Sequence, residues 1–263
     1  MNKSLSGKVV VITGASSGIG LACAEEFAKY DCKLVLAARH TDKLSVAEEN
    51  LKNKGVEVLA VQADVSKEED CKKLIEKTVE RFGKIDILLN NAGITMRALF
   101  EDLHLEVMKK VMDTNFWGAV YCTKYAFPYL LESQGSVVAI SSIAGKKGLP
   151  GRIGYSASKF ALEGFMETLR SENLRNHLHV MLVCPGFTAS NIRNTALVQD
   201  GTQQGESPRN EQKMMQPSQV AKKLVKGVIN RRRELIFTFN GRLTVFLNKW
   251  FPSWVDQLVY SHM

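Results

Sequence analysis

A phenol and an ammonium stand four residues apart at Tyr155 and Lys159, in the run Tyr155-Ser-Ala-Ser-Lys159. On a helix that spacing is just over one turn, so both heads share a face. A tyrosine ordinarily titrates near ~10, and a fixed positive charge beside it favours the phenolate, which suits the hydroxyl to give and take protons near neutrality. The pair reads as acid/base machinery. Taken alone, the same spacing also fits a tyrosine and a lysine on a solvated helix, so its meaning depends on the rest of the chain.

A second chemical signal is Thr13-Gly14-Ala15-Ser16-Ser17-Gly18-Ile19-Gly20, which joins an apolar run to a segment with helical spacing at Leu21, Ala24 and Phe27. Gly14 can supply a tight turn, Gly18 lets main chain approach a pyrophosphate, and Gly20 lets helix and strand pack closely. The diphosphate would rest on the helix N-terminus, beside Ser16, Ser17 and Ile19. The spacing is Gly-x-x-x-Gly-x-Gly rather than the commoner Gly-x-Gly-x-x-Gly.

A dinucleotide with a free ribose 2′-hydroxyl usually needs a carboxylate about 20 residues past such a turn. Here the next strand ends Ala37-Ala38-Arg39. Small residues leave room for a 2′-phosphate and the Arg39 guanidinium can fork onto it, which favours NADP(H) over NAD(H). Ser16 can add a hydroxyl donor. Asp64 and Val65 offer a carboxylate and a backbone amide to an adenine edge. Asn90-Asn91-Ala92-Gly93 lets main chain pass close to the cofactor ribose. Asn115 falls inside a helix expected from Leu103 to Phe127, where a buried side-chain amide competes with the helical hydrogen bonds and can open the helix locally to hold a water.

The elements that must position these residues follow from the apolar pattern. Lys8 to Thr13, Lys33 to Ala38, Val56 to Val61, Ile85 to Asn90, Ser136 to Ser141, His179 to Cys184 and Leu235 to Thr238 read as strands, separated by helical patterns. Near-continuous hydrophobicity marks strands covered on both faces. The expectation is an α/β fold: a doubly wound, mostly parallel seven-stranded sheet of Rossmann type, in a single domain over residues 1–263. Its ligand crevice should lie beyond the carboxyl ends of the strands, where each motif above falls.

Together these motifs resemble the short-chain dehydrogenase/reductase family over about residues 7–240. The resemblance rests on the Thr-Gly-x-x-x-Gly-Ile-Gly turn, Asn-Asn-Ala-Gly at 90–93, the helical Asn115, Ser142 thirteen residues before Tyr155, and Lys159. After the sixth strand the family often has Pro-Gly-x-Val-x-Thr. This chain has Pro185-Gly186-Phe187-Thr188-Ala189-Ser190, so Ser190 would take over the threonine's hydrogen bond to the nicotinamide carboxamide. The sequence around Tyr155 and Pro185 is nearer the branch with steroid and lipid-alcohol reductases. The resemblance implies hydride transfer between nicotinamide and a carbonyl or alcohol, with Tyr155 as acid or base and Ser142 holding the same oxygen. It implies that Lys159 lowers the Tyr155 pKa and binds the nicotinamide ribose, that Asn115 anchors a water leading from Lys159 to solvent, and that Pro185, Gly186 and Thr188 flank the cofactor. It also places a subunit interface on the small-residue helix face Ala157, Ala161, Gly164 and Thr168, giving a homodimer or homotetramer. The other functional class is a cofactor-binding regulator or scaffold without turnover, which would be expected to have lost Ser142, Tyr155 or Lys159.

At 263 residues, 45% hydrophobic and 24% charged, the composition is that of an ordinary globular chain. The net charge of +8 is scattered among carboxylates rather than gathered in a tail, which gives no sign of nucleic-acid binding. Five widely spaced cysteines in apolar segments read as reduced core thiols, suiting the cytoplasm. No apolar run reaches the roughly 20 residues that span a bilayer, and a first strand near Lys8 is expected to leave no room for a signal peptide. His177 and His179 have no third ligand at metal spacing, so no metal is expected. The run Arg231-Arg232-Arg233 reads as a solvated helix end. A polar stretch over 191–216 suggests a mobile lid, and Met96, Leu149, Phe187 and Met214 are candidates for an apolar substrate pocket suited to a lipophilic carbonyl or alcohol. An apolar segment over 242–260, broken near Pro252, must be covered by something. Packing on the pocket or on a neighbouring subunit is the favoured reading; peripheral membrane contact, helped by Arg242 and Lys249, is the other.

Overall fold

Seven short apolar runs form one sheet: β1 (Val9–Thr13), β2 (Lys33–Ala38), β3 (Val58–Gln62), β4 (Ile87–Asn90), β5 (Ser136–Ile140), β6 (His179–Cys184) and β7 (Glu234–Ile236). They pair in the order β3-β2-β1-β4-β5-β6-β7, every neighbour parallel. This computed structural model describes residues 5–206 and 214–261. Alternation along a strand decides which layer each side chain joins. Val10 and Ile12 of β1 pack with Leu34 and Leu36 under α1 (Gly18–Ala28), α2 (Thr41–Lys52) and α7 (Pro217–Ile229). Val9 and Val11 face the opposite layer, built by α3 (Glu68–Phe82), α5 (Gly118–Glu132) and α6 (Ile153–Glu172) around Leu74, Leu130, Leu162 and Met166.

The chain winds outward from β1 through β2 to β3, then returns to place β4 on the other side of β1. That reversal opens a crevice beyond the ends of β1 and β4, the position where doubly wound sheets take ligands. Strand limits expected from the sequence hold to within two residues at most ends. The helix expected to start at Leu103 begins as α4 (Leu105–Met112), widens into a π-turn over Asp113–Trp117, and continues as α5. The widened turn is centred on Asn115, which is buried.

Arg231, Arg232 and Arg233 are exposed just past the end of α7, as a solvated helix end should be, and the Arg231 guanidinium also donates to the carbonyls of Gln134 and His177 while Arg233 pairs with Glu167. The run therefore ties the end of α7 to the loops before β5 and β6. In the described part of the 191–216 segment Leu197 N donates to Thr95 O (2.9 Å) and Gln204 N to Ala196 O (2.8 Å); residues 207–213 of that expected lid lie outside the described residues. All five cysteines are free and buried. His179 is a satisfied core residue, between Ser136 Oγ and the Arg232 carbonyl. After β7 the chain folds into α8 (Phe239–Trp250) and α9 (Pro252–Tyr260), parted at Phe251.

Candidate active site

The glycine turn is stitched to the end of β4. Thr13 Oγ1 accepts from the amides of Asn91 and Ala92, both at 3.0 Å, and Asn91 Nδ2 donates to the carbonyls of Thr13 (2.8 Å) and Gly14 (3.1 Å). Gly14 has φ +64°, and a Cβ there would lie 2.9 Å from Ala92 Cα, so the turn accepts no side chain. A Cβ on Gly20 would meet the Gly14 carbonyl oxygen at 2.3 Å, which makes Gly20 a packing residue beneath the turn.

From this turn a cavity of ≈1250 Å³ runs across the ends of the strands. Its walls include Gly14, Ser16, Ser17, Gly18 and Ile19 from the turn, Arg39 after β2, Asp64 and Val65 after β3, and Asn91, Ala92 and Gly93 after β4. They continue through Ser142, Tyr155 and Lys159 to Pro185, Gly186, Thr188 and Ser190 after β6, with Leu149 and Phe187. Gly20, Asn115, Met96 and Met214 do not line it. Met96 is fully buried in a small cluster with Leu103, Val107, Val111 and Leu197, because its segment pairs with Leu197. Met214 is displaced because its neighbour Met215 takes the backbone pairing with Phe187 and Ala189.

Asn115 acts on the wall from behind. Its Oδ1 accepts from Ile94 N (2.8 Å), and its Nδ2 donates to Ile94 O and Ser158 Oγ, both at 2.9 Å. The amide thus fixes the segment after Gly93 to the helix that carries Tyr155, and makes no direct contact with Lys159.

Tyr155 and Lys159 lie on one face of α6, with the Lys159 ammonium 5.8 Å from the Tyr155 ring centroid. Lys159 is 4% exposed and donates to the Ile140 carbonyl at 2.8 Å. Burial pulls its pKa down to about 8 against the opposing fields of Cys184 and Glu163. Burial likewise pushes the Tyr155 phenol above its ordinary range, opposed by a hydrogen bond from Ser142 and by the charge of Arg152. In this state the downward pull on the phenol comes from Ser142 and Arg152, not from Lys159 as the sequence suggests. Ser142 Oγ also accepts from Ala144 N (3.2 Å), which holds the serine at the start of the turn Ile143–Gly145.

One turn beyond Lys159, Glu163 is buried, accepts from Ser141 Oγ (2.6 Å) and pairs with Lys146 (2.5 Å). Lys146 also pairs with Glu234 at 2.7 Å. Glu163, Glu234 and Cys184 converge as closely as metal ligands would, but the Lys146 ammonium already joins the two carboxylates, so the cluster reads as an ion-pair network behind the site.

Several wall residues escaped the sequence reading. His40 and Lys43 stand with Arg39; Arg97, Arg152 and Arg193 line the region near Tyr155; Leu243, Leu247, Trp254 and Leu258 come from α8 and α9. Arg152, three residues before Tyr155, was the one detectable from spacing, as a cation at the start of the same helix.

The short chain dehydrogenase family matches residues 8–200. Among curated proteins, the chain is 35% identical over 265 residues to a dehydrogenase/reductase SDR family protein 7-like of Dictyostelium discoideum, covering 98% of this chain and 82% of that one. It is 43% identical over 192 residues to an 11-beta-hydroxysteroid dehydrogenase-like 2 of Arabidopsis thaliana, covering 72% of this chain and 62% of that relative's length. Among solved structures, a short chain dehydrogenase/reductase from Burkholderia phymatum in complex with NAD superposes with a TM-score of 0.85 at 27% identity, covering 94% of each chain. An alcohol dehydrogenase from the archaeon Thermococcus sibiricus complexed with 5-hydroxy-NADP gives a TM-score of 0.78 at 28% identity, covering 88% of this chain and 96% of that one.

Proposed function

The chain belongs to the short-chain dehydrogenase/reductase family, and on that premise we propose that it transfers hydride between NADP(H) and a carbonyl or secondary alcohol, with Tyr155 as general acid and base. The observation that carries this reading is the single cavity walled by the glycine turn at one part and by Ser142, Tyr155 and Lys159 at another. The residues fit a dinucleotide: the turn leaves bare main chain at Gly14 and Gly18, and a Cβ on Gly18 would come within 3.5 Å of Ser190 across the cleft. A bound nicotinamide supplies or accepts the hydride. The chain does the rest. In reduction Tyr155 gives its proton to the substrate oxygen, and in oxidation the phenolate takes it back. Ser142, whose one hydroxyl proton goes to the phenol in this structure, would turn it to the same substrate oxygen while negative charge develops. Lys159, still protonated at neutral pH, keeps a cation in a site with little water to screen it, and its ammonium would hold a ribose hydroxyl of the cofactor. Asn115 keeps Ile94 and α6 in register, so that these groups face one another.

The preference for NADP(H) is supported by Arg39, exposed at the cavity mouth with Lys43 beside it, and by Ala38 where an NAD-type site would carry a carboxylate. The two solved neighbours hold NAD in one case and 5-hydroxy-NADP in the other, so the argument rests on those side chains. A lipophilic substrate is supported by the apolar wall from α8 and α9 and by the steroid dehydrogenase name of the plant relative. Gly164 on α6, where a Cβ would meet nothing within 4 Å, and the neighbouring Phe160, 47% exposed, leave that helix face open to a second subunit, supporting a homodimer or homotetramer. Buried free thiols suit a reducing, cytoplasmic setting; among the described residues no helix is long and apolar enough to cross a membrane.

A panel of ketones, aldehydes and alcohols followed by nicotinamide absorbance, with NADPH and NADH in parallel, tests the reading. Turnover with at least one carbonyl, and a clear preference for NADPH, is expected. Nucleotide binding without turnover of any member would sink it in favour of a non-catalytic role.

A further inference from the structure

Ser142 opens a short turn whose two flanks are held by one side chain. Ser141, directly after β5, donates its hydroxyl to Glu163 Oε1 at 2.6 Å, and Lys146, just past the turn Ile143–Gly145, reaches Glu163 Oε2 at 2.5 Å. Between these flanks the turn lies against α6. A Cβ on Gly145 would meet Ser141 Oγ at 2.8 Å, the Lys159 carbonyl oxygen at 3.0 Å and Glu163 Cγ at 3.1 Å. Glu163 is 8% exposed and stands one helical turn beyond Lys159. Cys184 Sγ donates to its Oε1 at 3.5 Å, and Lys146 pairs with Glu234 at 2.7 Å. An apolar side chain at 163 could fill the same space, but it could not bond both flanks of the turn.

The same carboxylate acts on Lys159. Burial works against that ammonium, and Cys184 and Glu163 oppose the loss of its charge. Burial and the field of Glu163 push the Cys184 thiol far up, so at neutral pH it stays uncharged and the negative charge comes from Glu163. Tyr155, on the same helix, is also held neutral by its burial. Of the other groups packed against α6, Lys146 is offset by Glu234 and Lys147 by Asp256, while Glu106, Lys109 and Lys110 of α4 and Asp113 of the π-turn are exposed. We propose that Glu163 is a positioning residue for hydride transfer: it locks the Ser142 turn to the helix carrying Tyr155 and Lys159, and sets a negative charge one turn behind the Lys159 ammonium. The inference rests on the oxidoreductase reading of the site and adds to it a residue that does not line the cavity.

The test titrates Lys159 by NMR in the full-length protein with isotope-labelled lysine and no cofactor, its signal identified by its loss in Lys159→Arg. Turnover of phenanthrenequinone, a bulky apolar carbonyl, with NADPH is measured beside it. Removing a negative charge disfavours the ammonium, so Glu163→Gln should lower the Lys159 titration from about 8 by roughly one unit and cut kcat about 10- to 100-fold, with KM for the quinone little changed. Glu234 still pairs with Lys146 in that variant, which favours folding. Glu163→Asp, one methylene short, should return the titration to about 8 without restoring kcat. Ser141→Ala removes one flank's bond and no charge; it should lower kcat about 10-fold and leave the titration in place, and it carries the test with Glu163→Asp if Glu163→Gln does not fold. A Lys159 titration unmoved in Glu163→Gln, or parental kcat in Ser141→Ala, would overturn the proposal. A glutamate that merely braces the fold would lower the denaturation midpoint and move neither readout while the variants stay folded. A parent that reduces neither the quinone nor any member of the carbonyl panel removes the oxidoreductase reading, and the coupling of Glu163 to Lys159 then stands or falls on the titration alone.

Discussion

At the scale of single residues, the site combines two groups that burial moves in opposite directions. The Tyr155 phenol is pushed up and stays protonated, which suits an acid for reduction, while Lys159 is pulled down to about 8. As pH rises through that value Lys159 loses its charge, and with it the cation that the proposed mechanism uses to hold the cofactor ribose beside the phenol. We therefore expect kcat/KM for reduction to fall above about pH 8, a limb that moves upward in Lys159→Arg. The same shift bears on stability. Between pH 8 and the unfolded value of 10.5 the unfolded chain holds more protons than the folded one, so cofactor-free stability rises with pH across that window. Lys159→Met should accordingly stabilise the cofactor-free protein at pH 7 by up to roughly 3 kcal/mol in denaturant unfolding, with the gain gone above about pH 10.5. An absence of pH dependence in that gain would contradict the buried, charged lysine. At the cavity mouth, Arg39→Ala should raise the Kd for NADPH about 10-fold or more and leave NADH unchanged; equal effects on both cofactors would contradict a 2′-phosphate contact. Tyr155, Lys159 and Arg39 could be found from sequence because spacing and strand ends give them away. Arg97 and Arg193 could not, since their place in the wall is set by backbone pairing between segments distant in the chain.

At the scale of elements, a buried polar side chain explains the π-turn over Asp113–Trp117. Asn115 spends its amide on both main-chain groups of Ile94 and on Ser158, and the helix widens over Asp113–Trp117 around it. Asn115→Ala would leave the half-buried Ile94 N–H and C=O without their partner, at a cost of roughly 1–3 kcal/mol. Chemical denaturation should show that loss, and turnover should fall with it because α6 is no longer keyed to the segment after Gly93. A variant as stable as the parent would contradict the clamp. The local opening of this helix was legible, since a central asparagine competes with helical hydrogen bonds. Its partners were not, because Ile94 and Ser158 are brought to it only by the packing of β4 against α5 and of α6 against α4 and the π-turn. The sheet was legible almost to the residue, as buried parallel strands leave continuous apolar runs.

At the scale of the whole molecule, the last two helices complete the cavity that the sheet begins. A Cβ on Gly241 would meet Ile143 Cδ1 at 2.7 Å, so α8 starts in close contact with the turn after Ser142, and Thr238 Oγ1 caps it by accepting from Gly241 N at 3.0 Å. Val255 of α9 is fully buried and Asp256 pairs with Lys147, while Phe246, Trp250 and Phe251 stay exposed on the other side. The sequence showed an apolar face needing cover; which side chains turn inward depends on the break at Phe251 and could not be read from periodicity. Leu247→Gln should raise KM for long-chain ketones several-fold and leave short ones unaffected, as initial rates over a chain-length series would show; a uniform effect would mean α8 supports the fold without touching substrate. The central claim is that nucleotide and substrate share one cavity in which a single phenol moves the proton. Its most direct test is Tyr155→Phe, with NADPH affinity measured by nucleotide fluorescence beside steady-state turnover. The account predicts an unchanged Kd and a turnover lowered by about 10² to 10⁴; wild-type turnover in that variant would contradict it.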